Sequence, residues 1–314
     1  MDHRLDFKHK YIYPCILICI VIFWIIHYRQ FFVEQYMRFS LRNSHIVISL
    51  STTPYRIGQL DKVIKAITGQ NVTTYAIYLN VPYKFKRDNL DYYIPASLAE
   101  NSKIKILRTE DYGPATKLLG TLKAINLPAE AIIVTLDDDI EYPNNIVLHL
   151  AYAAKNNPSY AIGLSGADLY NGFEPMSKLD RNLGLTTKYN YKGDVTILQG
   201  YSGIAYQYGF FQPDVFDIAN YPSSCVKSDD LYLSFYLAKQ NIGRKTIANE
   251  FIHTFKIAAE TTMSTGSDAL QNLDPPPPLK HAQCLAYLRE NFPTVDFSNN
   301  YKNNSDTTNL SACR

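Results

Sequence analysis

The sequence predicts an α/β fold, with a mostly parallel central sheet flanked by helices and an N-terminal transmembrane helix ahead of it. Three observations carry this. Apolar runs alternate with helix-periodic segments between residues 45 and 158, the pattern of a parallel sheet with crossover helices. One run, Ile132 to Leu136, ends on Asp137, Asp138 and Asp139, and ligands of such sheets bind beyond the carboxyl ends of strands. Upstream, residues 11–26 (YIYPCILICIVIFWII) carry no charge.

Taken in order, the chain opens with a tail, residues 1–10. The uncharged run is slightly short for a full span, but amphipathic Tyr28 and snorkelling Arg29 extend it. A cleaved signal peptide needs a shorter apolar core and small residues before the cut, and FWIIHYRQFF offers none. The expectation is therefore a single-pass membrane protein anchored through residues 11–28, Golgi-like type II if eukaryotic. Arg4, Lys8 and Lys10 on one side balance Arg29, Arg38 and Arg42 on the other, so the positive-inside rule leaves the orientation open. Residues 29–44 read as a stem.

The main domain is expected over residues 45–256. HIVISLS (45–51), YAIYLNV (75–81) and KIKILR (103–108) read as strands, and LDKVIKAI (60–67) as a helix. GPATKLLGTLKAI (113–125) reads as a helix with Pro114 at its first position and Leu118, Leu119, Leu122 and Ile125 at helical spacing. After AIIVTLD comes the helix of YPNNIVLHLAYAAKNNP, stopped by Pro158. AIGLSG (161–166), VTILQG (195–200), GIAYQ (203–207) and RKTIANEFIHTF (244–255) read as strands. SDDLYLSFYLAKQN (228–241) reads as a helix with Ser228 as N-cap. The C-terminal extension, 257–314, holds a polyproline-type DPPPPL, a helix over 281–292 and a polar Asn-rich end.

Composition excludes little else. The formal charge of +2 is dispersed, so there is no electrostatic footprint for nucleic acid. Cys15 and Cys19 fall in the anchor, leaving Cys225, Cys284 and Cys313 without metal-type spacing and with their pairing open. Sequons at Asn71, Asn303 and Asn309 do not fix the compartment.

The chemistry starts from the acids. On an extended strand Asp137 and Asp139 project to one side and Asp138 to the other. Two carboxylates facing one way make a hard-oxygen site for Mn²⁺ or Mg²⁺, which keeps positions open for water and phosphate. The competing reading is a solvated acidic turn.

An apolar strand ending in Asp-x-Asp, after strand–helix units beginning VISLSTTPYR, resembles nucleotide-sugar-dependent glycosyltransferases of the GT-A fold. The ordered set DYGPATKLLGTL, IIVTLDDDIEYP and KSDDLYLSFYLAKQNI resembles an inverting, family-2-like branch, over about residues 45 to 255. The resemblance implies a nucleotide diphosphate sugar as donor and a carbohydrate, glycan or lipid-linked hydroxyl acceptor. It implies Thr53, Arg56 and Asp137 near the nucleotide, joined by Asp138, with Asp139 the chief metal ligand. Asp229 and Asp230 match the family's acidic pair, and Asp230 would take the acceptor proton; alternatively both stabilise a helix dipole.

Within the same resemblance His253 is either a third metal ligand or an ordinary satisfied histidine. Gly200, Tyr201 and Gly203 of QGYSGIAYQ either line the acceptor side or form a glycine-bearing bulge. Lys117 either meets diphosphate charge or is a solvated lysine. Three rival functions compete with the transferase. A sugar-nucleotide nucleotidyltransferase would need a glycine-rich loop after the first strand, which SLSTTPYRIG lacks. A glycoside hydrolase would use two carboxylates without metal or nucleotide. An inactive sugar-binding or scaffold protein is the third alternative, and the intact Asp137, Asp139 and Asp230 argue against it.

Overall fold

The computed structural model describes residues 14, 17–18, 28–72, 75–169, 185–189, 192–247, 256–257 and 277–297. The chain divides into two compact units, Met1–Asn43 and Ser44–Arg314.

In the first unit residues 14, 17 and 18 are helical, and α1 runs over residues 28–41. Most of the expected stem, 29–44, is thus helical. The segment lacks Gly and Pro, and Glu34 accepts from Gln30 Nε2 (3.1 Å) and Arg38 Nη2 (3.4 Å), both at i,i+4 spacing. Most of the expected anchor lies outside the described residues; among those described, no helix is long and apolar enough to cross a membrane.

The second unit is the expected α/β fold. Its main sheet holds β1 (Ile46–Ser51), β2 (Ala76–Pro82), β3 (Ile104–Thr109), β4 (Ile132–Thr135), β6 (Tyr160–Gly163), β9 (Gly193–Asp194), β11 (Ile204–Gln207) and β12 (Gly243–Thr246). Their order is β3-β2-β1-β4-β11-β6-β12-β9. The pairs β3–β2, β2–β1, β1–β4 and β6–β12 are parallel; β11 runs antiparallel between β4 and β6, and β9 antiparallel to β12. A three-stranded antiparallel sheet contains β7 (Ser165–Leu169), β8 (Leu185–Tyr189) and β10 (Ile197–Leu198). β5 (Ile140–Glu141), directly after the acids, pairs with β13 (Lys256–Ile257).

The helices are α2 (Asp61–Thr68), α3 (Ala96–Ala99), α4 (Thr116–Ala124), α5 (Ile146–Lys155), α6 (Ser223–Val226), α7 (Asp229–Lys239) and α8 (Pro277–Asn291). Leu118 and Leu119 of α4 join Val47, Tyr78, Ile133 and Tyr206 of the sheet, and Tyr232, Leu233 and Tyr236 of α7, in one buried cluster. Ile48 and Leu50, on the other side of β1 by strand alternation, are also fully buried. Both sheet faces are therefore covered, which explains the continuous apolar runs that marked the strands. Truncating Leu118 to Ala would cost about 2–5 kcal/mol.

Several elements differ from expectation. α4 starts at Thr116, because Gly113 (φ +65°) and Pro114 form a tight turn ahead of it. Ser228 occupies the N-cap position of α7, but its hydroxyl makes no capping bond. α8 begins at Pro277, so the last prolines of the DPPPPL run open a helix, where a preset φ and a missing N–H cost nothing. AIGLSG breaks at Leu164 into β6 and β7, which belong to different sheets. Cys225 of α6 and Cys284 of α8 form a disulfide, Cα–Cα 4.7 Å, within a cluster of Leu231, Phe235, Leu285 and Leu288.

Candidate functional site

The strand order reverses direction between β1 and β4. That is the switch point at which the chains leaving two neighbouring parallel strands diverge and open a crevice. β1 and β4 are in register from Ile46↔Ile132 to Ser49↔Thr135, so Thr53 and Arg56 after β1 stand beside the acids after β4. An open cleft of about 700 Å³ lies there, lined by Thr53, Arg56, Lys117, Asp137, Asp138 and Asp139, and across from them by Tyr201, Asp229 and Asp230.

β4 ends at Thr135, before the acids, so strand alternation does not reach them. All three line the cleft, and Asp138 does not point away from it. Arg56 grips Asp138 with both ends of its fork, Nε to Oδ2 at 3.0 Å and Nη2 to Oδ1 at 2.8 Å. Arg56 Nη1 stands 3.8 Å from Asp139 Oδ2, too far for a hydrogen bond. Burial, then the charges of Asp137 and Asp138, push the Asp139 carboxyl up to about 7.

Lys117 is buried, with its ammonium 2.8 Å from Asp137 Oδ1 and 3.3 Å from Asp229 Oδ2. It is not a solvated lysine. Burial disfavours its charge, but Asp137, Asp229 and Asp230 outweigh burial and hold it well above the usual lysine range. A buried polar network fixes the turn that carries it. Ser49 Oγ donates to the Lys117 carbonyl, while Asn80 Nδ2 donates to Ser49 Oγ (3.0 Å), Leu50 O (3.0 Å) and Thr121 Oγ1 (3.1 Å). Ser49, Asn80 and Thr121 are fully buried, so each unmet bond there would cost about 1–3 kcal/mol.

Asp230 stands in the first turn of α7, and its Oδ1 accepts the Gly200 N–H at 2.9 Å. Burial, then the neighbouring Asp229 charge, raise its carboxyl to about 7. A Cβ on Gly200 would lie 2.8 Å from Lys117 Nζ and 2.9 Å from Asp230 Oδ1. The glycine therefore lets backbone approach the charged groups. Tyr142 joins the two walls: its Oη accepts the Asp137 N–H (2.9 Å) and donates to the Tyr201 carbonyl (2.8 Å). The Tyr201 hydroxyl donates to Ser165 Oγ at 3.0 Å.

Of the residues singled out in the sequence, Thr53, Arg56, Lys117, Asp137, Asp138, Asp139, Tyr201, Asp229 and Asp230 line one cleft, and Gly200 abuts it. Gly203 does not belong with them. Its φ is +87°, and a Cβ there would meet Leu136 and Leu150 side chains at 3.1 Å, so it serves a tight core approach instead of an acceptor contact. His253 lies outside the described residues. Among the described residues no group of three or more His, Cys, Asp and Glu could hold a metal ion, which leaves Asp137 and Asp139 as the oxygen donors to weigh.

Sequence reasoning missed Tyr142, Asp111 and Lys280. Asp111 accepts the Lys86 and Gly113 N–H groups, each at 2.8 Å, and so joins the loop after β2 to the turn before α4. Its place in DYGPATK was the available signal. Lys280 and His281 reach the cleft from α8, about fifty residues beyond Asp230, and no local pattern links them to it. No family model matches the chain, and no curated protein matches it either.

Proposed function

We propose that the chain is a metal-dependent GT-A glycosyltransferase. It would move a sugar from a nucleotide diphosphate sugar to an acceptor hydroxyl with inversion, while anchored to a membrane through residues 11–28. The observation that carries the reading is Asp230, a half-buried residue that lines the cleft opposite Asp137–Asp139 and whose carboxyl is raised to about 7. A base is most useful when its pKa lies near working pH.

Asp137 and Asp139 would supply the one or two carboxylates that Mg²⁺ or Mn²⁺ takes beside substrate phosphate oxygens. Six carboxyls line this cleft, at Asp111, Asp137–Asp139 and Asp229–Asp230; Arg56 stands against Asp138 and Asp139, and Lys117 against Asp137 and Asp229. Burial, then the charges of Asp137 and Asp138, raise the Asp139 carboxyl, and a divalent cation held there would favour its charged form. Asp139 and Asp137 would hold the ion, which when bound supplies Lewis-acid stabilisation of the departing diphosphate. Asp138 keeps Arg56 in place, and Lys117 holds Asp137 and Asp229 together. Asp230 takes the proton of the acceptor hydroxyl as its oxygen attacks the anomeric carbon, and the Gly200 N–H fixes which carboxylate oxygen faces the acceptor.

The test is a panel of nucleotide sugars incubated with the Ser44–Arg314 unit and Mn²⁺. Metal-dependent release of the nucleoside diphosphate from at least one donor supports the reading. A catalytically silent sugar-binding protein would bind a donor and release nothing.

A further inference from the structure

Lys280 is the second feature of the cleft that needs a chemical explanation. It sits in the first turn of α8 and lines the cleft, yet it is only 3 % exposed. Its ammonium has no hydrogen bond or ion pair among the described residues. A cation in the first turn of a helix also opposes the helix dipole, and burial of most of its side chain disfavours the charge that its ammonium presents to the cleft. Its charged surroundings are mixed: Asp229 and Asp230 attract it, while Lys227 and Arg87, which also line the cleft, repel it. Asp229 is already engaged by Lys117 at 3.3 Å. The neighbouring His281 is held to about 4 by burial and by the Lys280 charge, so at neutral pH it adds no charge to this wall. The Cys225–Cys284 disulfide ties α8 to α6, the helix just ahead of Asp229 and Asp230.

We propose that Lys280, together with Lys227 and Arg87, forms a binding site for a phosphate or carboxylate group on the acceptor. The acceptor is favoured over the donor because α8, which carries Lys280, is tied by the Cys225–Cys284 disulfide to α6, directly ahead of Asp229 and Asp230. The substrate class is then an anionic acceptor, such as a phosphorylated or acidic glycan, presented to the Asp230 carboxylate. This deepens the glycosyltransferase reading and rests on it for the ligand's identity, while the anion site itself can be tested without turnover.

The probe is inorganic phosphate, titrated calorimetrically into the full-length protein with and without saturating nucleoside diphosphate and Mn²⁺. Lys280→Met and Lys280→Gln should bind phosphate roughly 10- to 100-fold more weakly, the worth of one charge-assisted hydrogen bond, while Lys280→Arg should retain binding. Phosphate affinity should be unchanged by the nucleoside diphosphate. Both neutral variants should keep or raise the thermal midpoint in anion-free buffer, since they remove a charge that burial disfavours and that opposes the helix dipole. Absent phosphate binding in the wild type, or equal binding in the neutral variants, overturns the site. Loss of fold in both variants does so as well, because it would make the amine a structural group. Displacement of phosphate by the nucleoside diphosphate overturns the acceptor assignment. Failure of any nucleoside diphosphate to bind, with Lys280-dependent phosphate binding intact, counts against the glycosyltransferase reading alone.

Discussion

The Gly200 N–H donates to Asp230 Oδ1 at 2.9 Å, joining the loop after β10 to the first turn of α7. Asp230 is thus oriented by backbone, which cannot rotate away. Gly200→Ala would press a methyl against both Asp230 and Lys117. Transfer should fall about 10²-fold, the scale set by a displacement of roughly 1 Å at a reacting group. Circular dichroism should remain that of the wild type.

The raised carboxyl of Asp230 sets a pH limb. A base works when deprotonated, so transfer under donor saturation should rise as pH passes through about 7. Lys117 lowers the Asp230 pKa by favouring its charged form. Lys117→Met should therefore move the limb to higher pH as well as lowering its plateau. A limb that stays in place in the variant would show that Lys117 does not act on Asp230.

The same shift has a consequence for stability. Between the ordinary aspartate value of 3.8 and about 7, the folded protein holds a proton on Asp230 that the unfolded chain has released. Where the folded state binds more protons, stability falls as pH rises. Asp230→Asn removes that contribution. Without metal or substrate, its thermal midpoint relative to wild type should climb from pH 4 to about pH 7 and then level. A constant difference across that range would place the Asp230 pKa near its ordinary value.

The Cys225–Cys284 bridge spans 59 residues of sequence. Restricting the unfolded chain over such a loop contributes about 2–4 kcal/mol. Cys284→Ser should lower the thermal midpoint, and a strong reductant should lower that of the wild type to match. The variant should also lose affinity for anions, because α8 carries Lys280.

The sheet and its acids are legible in the sequence because buried parallel strands read as unbroken apolar runs, and an acidic triplet ending one of them is conspicuous. The convergence of Thr53, Arg56, Lys117, Asp137–Asp139 and Asp229–Asp230 follows from that topology. The direction of Asp138 is not legible, because the strand ends at Thr135 and the backbone turns at Asp138 and Asp139. Nor is the role of Gly203, since a glycine needed for φ +87° and for core contact looks the same in sequence as one lining a cleft. The Cys225–Cys284 pairing and Lys280 depend on how α8 packs against α6 and α7, a long-range contact with no local signature.

Whether Asp230 deprotonates the acceptor is decided by Asp230→Asn. The amide keeps an oxygen for the Gly200 N–H and removes only the basic electron pair. Calorimetric affinity for the nucleotide donor with Mn²⁺ should stay close to wild type, while transfer falls by about 10²–10⁴-fold. Proton NMR coupling of the wild-type product should show the anomeric configuration opposite to that of the donor. Near-normal transfer by Asp230→Asn, or a product of retained configuration, would contradict the role of Asp230 as the base of an inverting transfer.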